Sequence, residues 1–153
     1  MKALALIGVI SLVSSAAIAA GADNGRQYIV ERRSSPGNAI PFSEAVLVGD
    51  TLYVSGHLGL EPSGQAAADP RVEAKLLMDS IQKTVSLAGL TMDDFVSVQV
   101  YCTDLGLYDV FNATYRNYFH GKFPARLVIG VDHLLRGAHF EVQGIAIRST
   151  AGH

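Results

Sequence analysis

Two charged residues stand on strands that are otherwise mostly apolar. Arg126 lies in Ala125-Arg126-Leu127-Val128-Ile129-Gly130-Val131, and Glu141 lies in the closing run from His139 to Arg148. Successive side chains of a strand point to opposite faces. Ala125, Leu127, Ile129 and Val131 then share one face, and Arg126 stands on the other beside Val128 and Gly130. In the last strand Phe140, Val142, Gly144 and Ala146 share one face and Glu141, Gln143, Ile145 and Ile147 the other. An unpaired charge on such a surface is costly. Arg126 and Glu141 therefore pair, with each other or with neighbours, or they line a cleft that needs a fixed cation and a fixed carboxylate. Other constellations are poor. His120, His133 and His139 fall on different elements, so spacing argues no Ser-His-Asp arrangement. Asp132, His133 and His139 match no standard zinc spacing, and no glycine loop is built for phosphate.

The elements that must position this pair follow from periodicity. Tyr28-Ile29-Val30 starts a first strand, and Ser34-Ser35-Pro36-Gly37-Asn38 is a loop by composition. Ala45 to Val48 and Thr51 to Gly56 read as strands joined by a hairpin turn at Gly49-Asp50. Pro62-Ser63-Gly64 is a further turn. Asp69-Pro70 opens a helix with an N-cap side chain and a proline at the first helical position. Ala74, Leu77, Met78, Ile81, Val85 and Ala88 form its apolar stripe, and Gly89 ends it. Phe95 to Thr103 alternates as a strand, with Val96, Val98, Val100 and Cys102 on its apolar face. Tyr108, Phe111, Tyr115, Tyr118 and Phe119 mark a second helix that closes at Gly121, with the two tyrosines Tyr115 and Tyr118 read as helix packing. Two strand–helix–strand units imply crossovers and a sheet carrying both helices on one face. The opposite face, with Phe95, Tyr101, Val128, Ile145 and Ile147, is too apolar to leave in water, which predicts oligomerisation through it with clefts between subunits.

Length allows one domain, here residues 26–149. Residues 1–20 read as a secretory signal peptide: a basic Met1-Lys2 start, an apolar run, and a small-x-small cleavage pattern at Ala17-Ile18-Ala19, with Ala20-Gly21-Ala22 as a second candidate. The alternative is an uncleaved anchor. Export predicts a periplasmic or secreted protein with no stable membrane association after cleavage. Removing Lys2 leaves 11 basic against 14 acidic residues, a formal charge of −3. That balance, without a basic patch, gives nucleic-acid binding no electrostatic support. Cys102 is the single cysteine, so the chain has no internal disulfide, and its strand position predicts a buried thiol.

Several runs together resemble the RidA (YjgF) family: Pro41-Phe42-Ser43-Glu44-Ala45, Val48 to Gly56, Phe111-Asn112-Ala113-Thr114-Tyr115, Phe123-Pro124-Ala125-Arg126 and Phe140 to Ala146. The resemblance covers about Ile40 to Arg148. It implies an α+β, chorismate-mutase-like sheet with two helices on one face, assembled as a homotrimer with sites at subunit interfaces. It also implies an enamine/imine deaminase that hydrolyses 2-aminoacrylate, 2-iminopropanoate and 2-iminobutanoate to 2-oxo acids and ammonia, with no cofactor and no metal.

Residue by residue, Arg126 matches the arginine that holds the substrate carboxylate, a task for a guanidinium fork. Glu141 matches the glutamate that positions the attacking water. Ser55 and Gly56 match the serine-glycine beside the substrate, and Asn112 matches a recurrent asparagine on the second helix. Departures are Phe42 where tyrosine is common, Val128 where cysteine is common, and His57 in place of glutamine, read as a solvated loop histidine. The connection Leu134 to Gly137 lacks the usual proline. The alternative function is a non-catalytic trimer that binds small carboxylates. A ribonuclease is disfavoured by the acidity.

Overall fold

The computed structural model of the chain describes residues 25–30 and 40–149. The expected signal peptide and the Ser34–Asn38 loop lie outside these residues. Six strands form one sheet: β1 (Arg26–Ile29), β2 (Ala45–Val48), β3 (Thr51–Leu58), β4 (Phe95–Cys102), β5 (Ala125–Gly130) and β6 (Phe140–Ile147). Their spatial order is β1-β2-β3-β6-β4-β5. Only β4 and β5 run parallel; every other neighbouring pair is antiparallel. Two helices, α1 (Pro70–Leu87) and α2 (Tyr108–Tyr115), cross from β3 to β4 and from β4 to β5. This is the α+β architecture expected, with β6 inserted between the first two strands that α1 connects.

Local chemistry sets the boundaries. Asp69 accepts a hydrogen bond from Arg71 N at 2.8 Å and Pro70 follows it, so α1 starts where the cap and the proline place it. Gly89 takes φ +72° and ends the helix. Arg148 donates to the carbonyls of Gly89 at 2.9 Å and Ala88 at 3.1 Å, so the end of the chain neutralises the C-terminal carbonyls of α1. Gly49 at φ +58° makes the β2–β3 turn. The second helix is shorter than its aromatic stripe: α2 tightens after Tyr115 into a 3₁₀ turn over Arg116–Tyr118.

The core lies between the helices and one sheet face, built from Leu52, Val54, Leu77, Ile81, Val100 and Phe140 among others. Two residues assigned to the bare face belong here instead. Phe95 is buried, because the β4–β6 pairing slips between Phe95 and Ser97: Val96 is the extra residue, points out, and lets Phe95 turn inward over Gly144. Val96 accordingly leaves the apolar face on which alternation placed it. Val128 pairs with Val100 and packs against the core, so it shares the helix side with Arg126. The bare face carries Tyr53, Leu127, Ile129, Ile145 and Ile147, all exposed.

Candidate functional site

Arg126 is held by β5 on the helix side of the sheet, under α2. Its guanidinium carbon lies 4.6 Å from the ring centre of Tyr115 and 5.8 Å from that of Tyr108, and it donates to the Tyr108 hydroxyl at 3.4 Å. The rings hold the planar cation by cation–π attraction, and the Tyr108 hydroxyl takes up one of its donors. The surrounding cleft, about 250 Å³, is lined also by Asn112, Arg116, Phe123 and Pro124. Among the described residues no carboxylate stands within ion-pair distance of Arg126. The Tyr115 hydroxyl is buried with no hydrogen-bond partner among the described residues. Burial pushes its pKa up to about 12, with the Arg126 charge pulling the other way. Tyr115 is thus more than helix packing, whereas Tyr118 does pack on α1, donating to Asp79 at 2.6 Å.

Glu141 lies on the other face. It is in register with Tyr101 of β4, on the bare face, while Arg126 is in register with Val98, which is buried on the helix side. Arg126 and Glu141 therefore do not pair with each other within one chain. Burial alone raises the Glu141 carboxyl above its ordinary value of 4.5. Beside it is Gly56: a Cβ built there would collide with Glu141 Oε1, so only glycine leaves the carboxyl where it is. Ser55 donates its hydroxyl to Ser43 O at 2.7 Å and its backbone N–H to Glu44 O at 3.0 Å. Phe42, 56% exposed, lines a second cleft of about 200 Å³ with Ile40, Gly56, His57 and Leu58. The site residues thus divide: Arg126, Asn112 and Val128 on the helix side near α2, and Phe42, Ser55, Gly56 and Glu141 around β3 and β6.

His57 is not a solvated loop residue. It is 4% exposed and sits in β3. The β3–β6 pairing shifts between Val54 and His57, with Val54 opposite Gly144 and His57 opposite Val142, so that Ser55 and Gly56 together oppose Gln143. This bulge turns His57 inward, where unbroken alternation from Val54 would have turned it out. Its Nδ1 lies 3.0 Å from Ser80 Oγ on α1, and its Nε2 lies 3.4 Å from Glu44 O and 3.7 Å from a Glu44 carboxylate oxygen. Ser80, His57 and Glu44 have the outline of a nucleophile–base–acid array. Ser80, however, is interior to α1, where the neighbouring backbone N–H groups are committed to the helix and do not serve an oxyanion. The array is a clamp.

A second buried polar cluster escaped the sequence. Glu73 on α1 is fully buried, its Oε1 accepting from the backbone N–H groups of His139 at 2.7 Å and Phe140 at 2.8 Å, with His139 Nδ1 2.6 Å from Oε2. The available signal was its place on the apolar stripe, four residues before Leu77 and eight before Ile81. Cys102 is buried as expected; its thiol donates to Asp104 O, and burial raises its pKa.

Comparison with known proteins converges on one group. The Endoribonuclease L-PSP family matches residues 32–148. The human 2-iminobutanoate/2-iminopropanoate deaminase is 31% identical over 122 residues, spanning 78% of this chain and 89% of that one. The structure of Escherichia coli TdcF with bound serine superposes with a TM-score of 0.71 at 28% identity, covering 80% of this chain and 100% of that one. RidA from an Antarctic Psychrobacter superposes with a TM-score of 0.71 at 27% identity over the same shares.

Proposed function

The chain belongs to the Endoribonuclease L-PSP (RidA/YjgF) family, and from that premise we propose that it is an imine deaminase that hydrolyses small 2-imino acids to 2-oxo acids and ammonia. The observation that carries this reading is Arg126: a guanidinium fixed over two aromatic rings in an open cleft, with no carboxylate among the described residues to satisfy it. Such a fork fits a carboxylate through two parallel charge-assisted hydrogen bonds. A relative crystallised with serine, itself a small amino acid, is consistent with that ligand size.

Because Glu141 and Arg126 occupy opposite sheet faces of one chain, the reaction needs two copies. In the homotrimer we propose, Arg126 of one subunit holds the substrate carboxylate while Ser55, Gly56 and Glu141 of its neighbour face the imine carbon. Glu141 accepts a proton from water as the water oxygen bonds to that carbon. It returns that proton to the nitrogen, giving a carbinolamine; the same carboxylate then carries the carbinolamine hydroxyl proton to the nitrogen as the C–N bond breaks, releasing ammonia and leaving the 2-oxo acid. Phe42 supplies an apolar wall without a hydroxyl, and Val128 offers its backbone beside Arg126. No step calls for a metal or cofactor.

An amino-acid oxidase supplying 2-iminopropanoate or 2-iminobutanoate, with decay of the imine followed directly, tests the reading. The wild-type protein is expected to accelerate decay and Arg126→Ala to match the uncatalysed rate. Equal rates for both proteins and buffer would overturn it. Saturable binding of 2-oxobutanoate without turnover would assign the alternative of a carboxylate-binding trimer, to which the missing hydroxyl at Phe42 points. We place the mature protein outside the cytoplasm on the strength of residues 1–20, where an oxidase or dehydrogenase acting on amino acids would be the class of enzyme to supply the imine. Among the described residues no helix is long and apolar enough to cross a membrane.

A further inference from the structure

We propose that His57 is a positioning residue for the reaction: clamped between Ser80 and Glu44, it locks the β3 bulge that presses the Gly56 backbone against Glu141 and so aims that carboxylate. The inference rests on the imine-deaminase reading for its kinetic arm and on geometry alone for the rest.

The bulge is an unsupported shape unless something holds it. Ser55 and Gly56 oppose one residue of β6, so the ladder between Val54 and His57 loses its regular pairing. The lost support is replaced by the segment that enters β2 and by one residue of α1. Ser55 is tied down by its N–H to Glu44 O and its hydroxyl to Ser43 O. On the far flank of the bulge the His57 ring reaches the same Glu44 carbonyl with one nitrogen and Ser80 on α1 with the other. Both flanks are thereby anchored to the segment that enters β2, and one also to a rigid helix. Gly56, between them, has no side chain and no freedom to recede. A Cβ at this position would meet Glu141 Oε1, Cδ and Cγ in turn, so the glycine backbone forms the wall against which the carboxylate rests. Glu44 and His57 are the ionisable groups of the clamp; Glu141 lies across the sheet from them, in register with Leu58 and Tyr101. A misplacement of about 1 Å in a catalytic group costs on the order of 10²-fold in rate. A loosened bulge therefore shows in kcat before it shows in substrate binding.

The test uses His57→Ala, Ser80→Ala and His57→Gln, the last keeping one donor and one acceptor at the ring positions. Two quantities are read on the assembled protein: kcat and KM for 2-iminobutanoate, and the titration of the Glu141 carboxyl by carbon-13 NMR, assigned through Glu141→Gln. His57→Ala is expected to lower kcat about tenfold or more with KM near wild type, and to bring the Glu141 titration back toward the ordinary carboxyl range as water enters beside it. Ser80→Ala should do the same to a lesser degree, and it stands in if His57→Ala fails to fold. His57→Gln should recover both quantities. A Glu141 titration that is identical in wild type and every folded variant overturns the proposal. So does a loss of kcat in His57→Ala that His57→Gln does not recover. If wild type itself turns over no imine, the deaminase reading falls, while the titration still decides whether His57 sets the environment of Glu141.

Discussion

A guanidinium lying 4.6 Å over Tyr115, with its fork turned to an open cleft, makes its own prediction at the level of the single residue. Arg126→Lys keeps the charge but loses the planar fork and the ring stacking, so kcat/KM for the imine is expected to fall on the order of 10²-fold, nearly as far as in Arg126→Ala. Steady-state kinetics on both variants checks this. Glu141 predicts a pH dependence whose sign follows from its role. In the proposed reaction the carboxylate form accepts the proton, and burial holds the carboxyl above 4.5. Activity should therefore drop on the acid side through a pKa above that value, and Glu141→Gln should lose both the activity and this limb of the profile. Gly56→Ala separates site from fold. The atom first struck is the end of a flexible side chain, so the carboxylate swings aside; turnover should collapse while the urea midpoint moves little.

Among elements, the first turn of α1 is fixed to the sheet by two features that are not apolar. Glu73 gathers two backbone N–H groups at the start of β6 and the His139 ring. Glu73→Ala strands those donors in the interior and should destabilise the protein by about 3 kcal/mol or more, whereas Glu73→Gln keeps the Oε1 acceptor and should cost about 1 kcal/mol. Urea unfolding at fixed protein concentration measures both. Gly59 is the companion feature. A Cβ there would run into the Glu73 backbone carbonyl, which cannot yield as a side chain can, so Gly59→Ala should be destabilising where Gly56→Ala is not. The two glycines stand three residues apart and fail in different ways because one faces a flexible carboxylate and the other a helix backbone.

For the whole molecule, the decisive feature is the uncovered sheet face. Tyr53, Leu127, Ile129, Ile145 and Ile147 are exposed on it. Between them Gln143 donates to Gln99 at 2.7 Å and to the Tyr101 hydroxyl at 3.1 Å. Apolar side chains around a hydrogen-bonded polar strip are the make-up of a subunit interface rather than of a water-facing surface. The double variant Leu127→Asp, Ile145→Asp is expected to run as a monomer in light scattering, against the trimer we propose for wild type, and to lose turnover with every site residue intact. Intact mass of protein recovered from the medium or periplasm of an expressing bacterium should lack the segment ending at Ala19, Ala20 or Ala22; full-length protein confined to the cytoplasm would remove the exported reading.

The sequence alone determined the elements that strict periodicity and local caps define: the start of α1 at Asp69-Pro70, its end at Gly89, the Gly49-Asp50 hairpin, the two charged strands, and the runs around Arg126 and Glu141 that resemble one family. These are short-range signals, written in the residues that carry them. Tertiary structure decided what depends on register. One extra residue at Val96 moved Phe95 into the core, and a bulge at Ser55-Gly56 turned His57 from solvent into a buried clamp. Pairing of β5 with β4 put Val128 on the helix side and set Arg126 and Glu141 on opposite faces. A period-2 pattern cannot reveal where it slips, because a single inserted residue inverts every face beyond it and leaves the composition of the strand unchanged.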